Sequence, residues 1–185
     1  IEKLIHADSV SDAVNFLANL GWGISEDYNE TLHNQLFELF GLLKELGAGS
    51  FLNTQRLKYD YHNLKALIKS ELTGQQQDDL LINLGSISTN DIKSAVLNRN
   101  YEMFTENMAQ AVADSYEQYA KIADAQLIDI IFDSAYFKDL LYYAKEQPEK
   151  KIFDLIKMQI DMHNIKAFVR LFKMGKTHAF TQKVI

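Results

Sequence analysis

Apolar positions along this chain recur at helical spacing, and no run of alternating β-branched residues lasts long enough for a strand. The first periodic segment has Val10, Val14, Leu17 and Leu20 on one face. Ser9-Val10-Ser11-Asp12 before it has the form of a capping box, with Asp in place of Glu, and Gly21-Trp22-Gly23 stops it. A second helix is expected over 27–46, with the stripe Leu32, Leu36, Leu39 (beside Phe40) and Leu43, ended by Gly47-Ala48-Gly49. A third is expected over 51–72, striped by Leu57, Tyr61, Leu64, Ile68 and Leu72. The polar stretch Thr73 to Asp79 reads as a loop, and Leu80–Ser86 as a short apolar piece. Ser88-Thr89-Asn90-Asp91 opens another helix, and three long ones follow over 101–123, 125–146 and 149–174. Gln147-Pro148-Glu149 separates the last two, and Gly175 ends the series. The fold class is all-α, a helical bundle.

Two of these helices repeat each other. Asp60-Tyr61-His62-Asn63-Leu64-Lys65-Ala66-Leu67-Ile68-Lys69 returns as Asp161-Met162-His163-Asn164-Ile165-Lys166-Ala167-Phe168-Val169-Arg170 at a constant offset of 101. Asp, His, Asn, Lys and Ala are identical, and most other positions are conservative exchanges. Upstream, Leu39, Lys44 and Glu45 meet Leu140, Lys145 and Glu146, and the glycine break at 47–49 meets the break at Pro148. One helical hairpin therefore occurs twice. The expected units are 1–85, a first repeat lacking its N-terminal part, and 86–175, a second, with 176–185 expected to start a linker to a third unit.

Within each copy, residues three and four apart share a face. Asp60 neighbours Asn63, and Asp161 neighbours Asn164, each pair bordering an apolar stripe: Tyr61, Leu64, Ile68 in one copy, Met162, Ile165, Val169 in the other. Both stripes are expected to face the core. Asp and Asn compete with helical backbone bonds, so their recurrence at one place signals a use. Two uses stay open. They form a polar lock with Lys65 and Lys166, taking donors from a neighbouring helix or loop, or they are satisfied within their own hairpin. Under either use, Asn63→Leu and Asn164→Leu are each expected to weaken folding rather than an activity.

Composition narrows the chemistry. The chain has 185 residues, one proline and no cysteine, which excludes disulfides, thiol catalysis and cysteine-ligated metal centres. A net charge of -6 argues against a general nucleic-acid binder. No apolar run approaches the roughly 20 residues of a membrane span. The start, Ile1-Glu2-Lys3-Leu4, has no initiator Met and no signal-peptide pattern, and reads as a cut from a longer cytoplasmic chain. Glu30-Thr31-Leu32-His33 has the Glu-x-x-His spacing of di-iron bundles, but the second such motif is missing, so it reads as a solvated pair. His62 and His163 are expected to lie in separate units, too far apart to share a metal. Asp129 and Asp133, four apart, read as a solvated acidic face rather than an acid–base pair. No phosphate loop or nucleophile elbow occurs. No catalytic residue, cofactor or metal is expected.

Charge is uneven. Residues 102–146 carry nine acids against three bases, and 150–183 carry eight bases against two acids. These blocks are either complementary faces of packed helices or a docking surface, for which Lys150, Lys151, Lys173 and Lys176 are the basic candidates. The aromatics Tyr116, Tyr119, Tyr136, Phe137, Tyr142 and Tyr143 serve either the core or partner anchoring.

The duplicated stretch, preceded by Phe153-Asp154-Leu155-Ile156-Lys157, resembles the C-type component of V-type (A/V-type) ATPases, called the d component in eukaryotic enzymes. Phe132-Asp133-Ser134-Ala135-Tyr136-Phe137 and Tyr59-Asp60-Tyr61-His62-Asn63-Leu64-Lys65 resemble other segments of that family. The resemblance covers about 5–185. It implies a funnel of three similar helical units about a pseudo-threefold axis, without catalytic residues, peripheral on the cytoplasmic face of the membrane. Its implied partners are the central-axle subunits and the membrane rotor ring. Its implied role couples ATP hydrolysis or synthesis to proton or sodium movement. Only two units are visible, and 172–180 resembles the entry to a third. The alternative is a helical-repeat adaptor for other proteins, although solenoid repeats have periods near 30–47 residues rather than 101.

Overall fold

A computed structural model of the chain describes residues 2–25, 27–76, 78–147, 149–175 and 177–184. Ile1, Gln77, Pro148, Lys176 and Ile185, used in the sequence reading, lie outside these. The elements among the described residues are α1 Glu2–Ile5, α2 Val10–Asn19, α3 Tyr28–Glu45, α4 Gly49–Thr73, a 3-10 turn Asp78–Leu80, α5 Thr89–Asn98, α6 Glu106–Ile122, α7 Ala125–Lys145, α8 Lys150–Lys173 and α9 His178–Val184. No strand occurs among them.

The caps explain most boundaries. Ser9, Ser88 and Thr105 each accept a bond from the backbone N–H three residues on, and Asp27 and Asp124 from the one two residues on. Thr105 corrects the sequence reading, which began α6 at 101. The Thr105 hydroxyl satisfies Met108 N–H at 3.1 Å, so the helix starts at Glu106. The preceding Tyr101–Phe104 turn tucks Phe104 into the core without helical backbone.

Two compact units divide the chain by its contacts, 1–52 and 53–185, whereas the sequence repeat divides it near 85. In the first unit, α1 and α2 pack together, and Thr31 on α3 is buried, its hydroxyl accepting Ser25 N–H at 3.0 Å. The α3 stripe departs from expectation. Phe40 is buried, but Leu32 and Leu39 are exposed.

The second unit holds the main core. It joins Leu57, Tyr61, Leu64 and Ile68 of α4 to Ile92 and Val96 of α5, Met108 and Val112 of α6, Ile128, Phe132 and Leu140 of α7, and Ile156 of α8. Helices α6 and α7 form a tight hairpin, and α7 also packs against α8. The repeat is visible in the backbone. α4 shifted by 101 covers 150–174, and α8 covers Lys150–Lys173. Both helices then meet a left-handed glycine, Gly74 at φ 70° and Gly175 at φ 65°.

The α6–α7 hairpin closes through Ala123, a left-handed residue at φ 55° whose N–H bonds to Tyr119. An L side chain there costs about 1–2 kcal/mol, against about 0.5–1 kcal/mol of extra chain entropy for glycine. Ala123→Gly is therefore expected to stabilise the protein by about 0.5–1 kcal/mol, read as a raised urea midpoint at unchanged slope.

Candidate functional site

The first copy of the repeated pair is built around the chain that follows α4. After the Asp78–Leu80 turn the chain passes back along α4 through a turn at 83–84 and a bend at 85–87, and α4's polar residues hold it. Asn63 pairs with a single residue in both directions: its Nδ2 donates to the Ile82 carbonyl and its Oδ1 accepts Ile82 N–H, each at 2.8 Å. A side-chain amide presents one donor and one acceptor side by side, so it substitutes for a neighbouring strand. His62 Nε2 donates to the Leu80 carbonyl at 2.8 Å. One turn earlier, Asp60 Oδ2 accepts Ser86 N–H at 3.1 Å together with the Ser86 hydroxyl, and Oδ1 accepts Ile87 N–H at 2.9 Å.

Asp60 and Asn63 are 1% and 0% exposed. Burial pushes the Asp60 carboxyl above the usual carboxylate range, and the donors from Ser86 and Ile87, with the more distant Arg56 charge, offset this only in part. Gly85 is required by the closeness of the fit. A Cβ there would lie 2.1 Å from Asp60 Oδ1. Lys65 turns the other way and pairs with Asp133 at 2.8 Å, while Lys69 pairs with Asp129 at 2.7 Å. These α7 carboxylates, read from sequence as a solvated face, are instead partners of α4. The pairs are partly exposed, so each contributes at most about 1 kcal/mol.

A further polar centre escaped the sequence reading. Asp139 on α7 is buried and accepts from Tyr61 Oη at 2.7 Å, from the Thr105 hydroxyl and from Asn107 Nδ2. It ties α4 to the start of α6. Its only signal in sequence is an acid inside an apolar helix between Lys138 and Leu140. Asp139 also raises the Tyr61 hydroxyl pKa, after the larger effect of burial. At the far end of α4, Glu71 meets Arg99 and the Tyr116 hydroxyl, 2.8 Å away.

The second copy is in a different situation. Asp161 and Lys166 are exposed and Asn164 half-buried, and none has a polar partner among the described residues. The stripe expected to face the core is exposed too. Leu64 and Ile68 are 0% exposed, whereas their counterparts Ile165 and Val169 are 58% and 44% exposed. The cause is coverage. α4 is packed by α5, α6 and α7, while α8 buries only the side facing α7, at Ile156 and Leu171. Among the aromatic candidates, Tyr142 is exposed, while Tyr116, Tyr119, Tyr136, Phe137 and Tyr143 pack against the core.

His62 and His163 are not separated as expected. Both line one cleft of about 370 Å³ among α4, α7 and α8, with Lys58, Tyr136 and Phe137, and the His163 ring lies tilted against Phe137 with ring centroids 4.7 Å apart. His62 is engaged with Leu80, and no group of three or more His, Asp or Glu able to hold a metal occurs among the described residues. Lys150 and Lys151 open α8 and Lys173 closes it, about 33 Å away at the helical rise, so these lysines do not form one patch. No ion pair among the described residues joins the acidic 102–146 block to the basic 150–183 block.

The family model described as ATP synthase (C/AC39) subunit matches residues 1–185. The chain belongs to that family. A curated relative, the C-type component of the V-type sodium ATPase of Enterococcus hirae, is 24% identical over 191 residues, covering all of this chain and 58% of the relative. This member of the C/AC39 family thus spans a little over half the length of that relative. No solved structure matches it significantly. No helix among the described residues is long and apolar enough to cross a membrane.

Asn63→Leu strands the N–H and carbonyl of Ile82, at about 1–3 kcal/mol each, and is expected to cost about 2–5 kcal/mol in urea unfolding. The structure changes the expectation for Asn164→Leu in this chain to within about 0.5 kcal/mol of wild type. Equal losses for the two variants would contradict the difference in engagement.

Proposed function

We propose that this protein is a non-catalytic rotor component of a V-type ATPase, a socket between the central axle and the membrane rotor ring that passes torque between ATP turnover and ion movement. The observation that carries the reading is the family match across residues 1–185. The physical arrangement supports it. A torque coupling must resist shear, and interior packing at crystal-like density transmits strain. The second unit ties α4 to α7 and α6 at three heights, through Lys69–Asp129, Lys65–Asp133 and Tyr61–Asp139–Thr105. The polar residues on the inner faces of α4 and α7 hold backbone and neighbouring helices, an arrangement suited to a mechanical part.

On this reading the protein is peripheral, on the cytoplasmic side, and takes its place through exposed apolar surface. Phe168 and Phe172 stack on α8 with ring centroids 6.4 Å apart, outside the core. The pumped ion, proton or sodium, is chosen by ligands in other subunits.

The test is a pull-down of the protein, expressed as its gene encodes it, with the membrane rotor ring and axle subunits of the same ATPase. Retention of both is expected. Retention of neither would overturn the socket role.

A further inference from the structure

We propose that the free protein pairs with a second copy of itself along α8, the two helices lying parallel as a short coiled coil. Exposure and spacing together define the seam. Leu155, Met158, Met162, Ile165, Val169 and Phe172 are 38% to 76% exposed. They follow one another at alternating steps of three and four residues, the a and d positions of a heptad repeat, and α8 keeps this up for about five turns.

At 3.6 residues per turn this stripe falls on the side of α8 opposite to Ile156, Ile160, Ala167 and Leu171, through which α8 meets the rest of the second unit. Packing within the chain and the exposed seam therefore use separate sides of one helix. An apolar stripe of this length is costly in water, and a matching stripe covers it. Because α8 is already helical, pairing costs no helix formation. The pairing belongs to the free protein, and assembly through the same surface would replace it.

The charges beside the seam select the partner and its direction. Asp161 takes a g position and Lys166 the following e position. Both are exposed, and neither has a polar partner among the described residues. In a parallel pair, g of one helix meets the e five residues on in the other. Asp161 of one copy then meets Lys166 of the other, and the two-fold axis makes this ion pair twice. The remaining edge positions agree with the same register. Asp154 meets Gln159, and Phe168 meets the aliphatic stem of Lys173, so no like charges face each other. Lys157 and Arg170 fall at outer positions, away from the second copy. An antiparallel pair sets g against g and e against e, which puts acids beside acids and lysines beside lysines.

Sedimentation velocity of the protein from about 1 to about 100 μM, a range that brackets small interfaces, tests the pairing. The expected result is a reversible rise from the 21.2 kDa of one chain toward twice that mass. Ile165→Glu puts a carboxylate in mid-seam at an exposed position, and is expected to leave helix content unchanged and the protein monomeric throughout the range. Asp161→Lys and Lys166→Asp are each expected to weaken pairing about tenfold, and the double exchange to restore it. The chain has no cysteine, so direction can be read by cross-linking. Met158→Cys, at a d position, is expected to form a disulfide with its own copy under oxidised glutathione, while Leu97→Cys, on the 83% exposed site of α5, is not. A mass independent of concentration over the whole range would overturn the pairing. A dimer that survives Ile165→Glu, or equal cross-linking of Leu97→Cys, would overturn the seam. Failure of Met158→Cys to cross-link in a protein that dimerises, or of the double exchange to restore pairing, would overturn the parallel arrangement.

Discussion

A helix side chain that binds the backbone of the connection between two helices is the constraint around which the larger unit is organised. The stretch 80–87 carries N–H and carbonyl groups that must be satisfied when buried, and no strand lies alongside to satisfy them. Asn63 and Asp60 do so from one face of α4. Holding that segment down fixes where α5 begins, because Ser88, its cap, follows directly after Ile87. It places Ile92 and Val96 over Leu64 and Ile68 in one core. The burial of a carboxylate is the cost of this arrangement, expressed as the upward push on the Asp60 pKa, and the glycine at 85 makes the approach sterically possible.

The two copies of the hairpin show one sequence pattern in two environments. In α4 the pattern is covered on more than one side, so its polar pair is buried, its stripe is core and its lysines reach the acids of α7. In α8 only the α7 side is covered, and the same residue types stand at the surface. Hydrophobic spacing describes which residues can be buried together; whether they are buried depends on a second surface that the segment does not encode. For a member of the C/AC39 family built from repeated hairpins, this difference is a structural consequence of position in the chain.

Much of the fold was legible in the sequence. Capping residues Ser9 and Ser88, the glycine stops and the 3.6-residue period located α2 to α8, though not α1 or α9, and the repeat offset carried over to the backbone, down to the paired glycines Gly74 and Gly175. The start of α6 was missed because Phe104 and Met108 keep helical spacing whether or not the chain between is helical, and the Thr105 cap decides. Within the site, the recurrence of Asp and Asn marked the right residues on α4. What they bind was not legible, since a side chain bonded to backbone leaves no complementary residue type at 82 or 87. Asp133 and Asp129 read as a solvated face, and Asp139 was not singled out, because their partners lie 32 to 78 positions away in sequence.

The organising role of the clamp makes a claim about local stability. Amides in a non-helical connection between helices ordinarily exchange through small openings, far faster than core helical amides. Native-state hydrogen exchange of the Ile82 and Ile87 amides tests the claim directly. The account predicts that both exchange only through global unfolding, with the same free energy as the Leu64 and Ile68 amides of α4. Exchange within about tenfold of the unfolded-chain rate, while α4 stays protected, would show that the segment opens independently and that the clamp does not organise the fold.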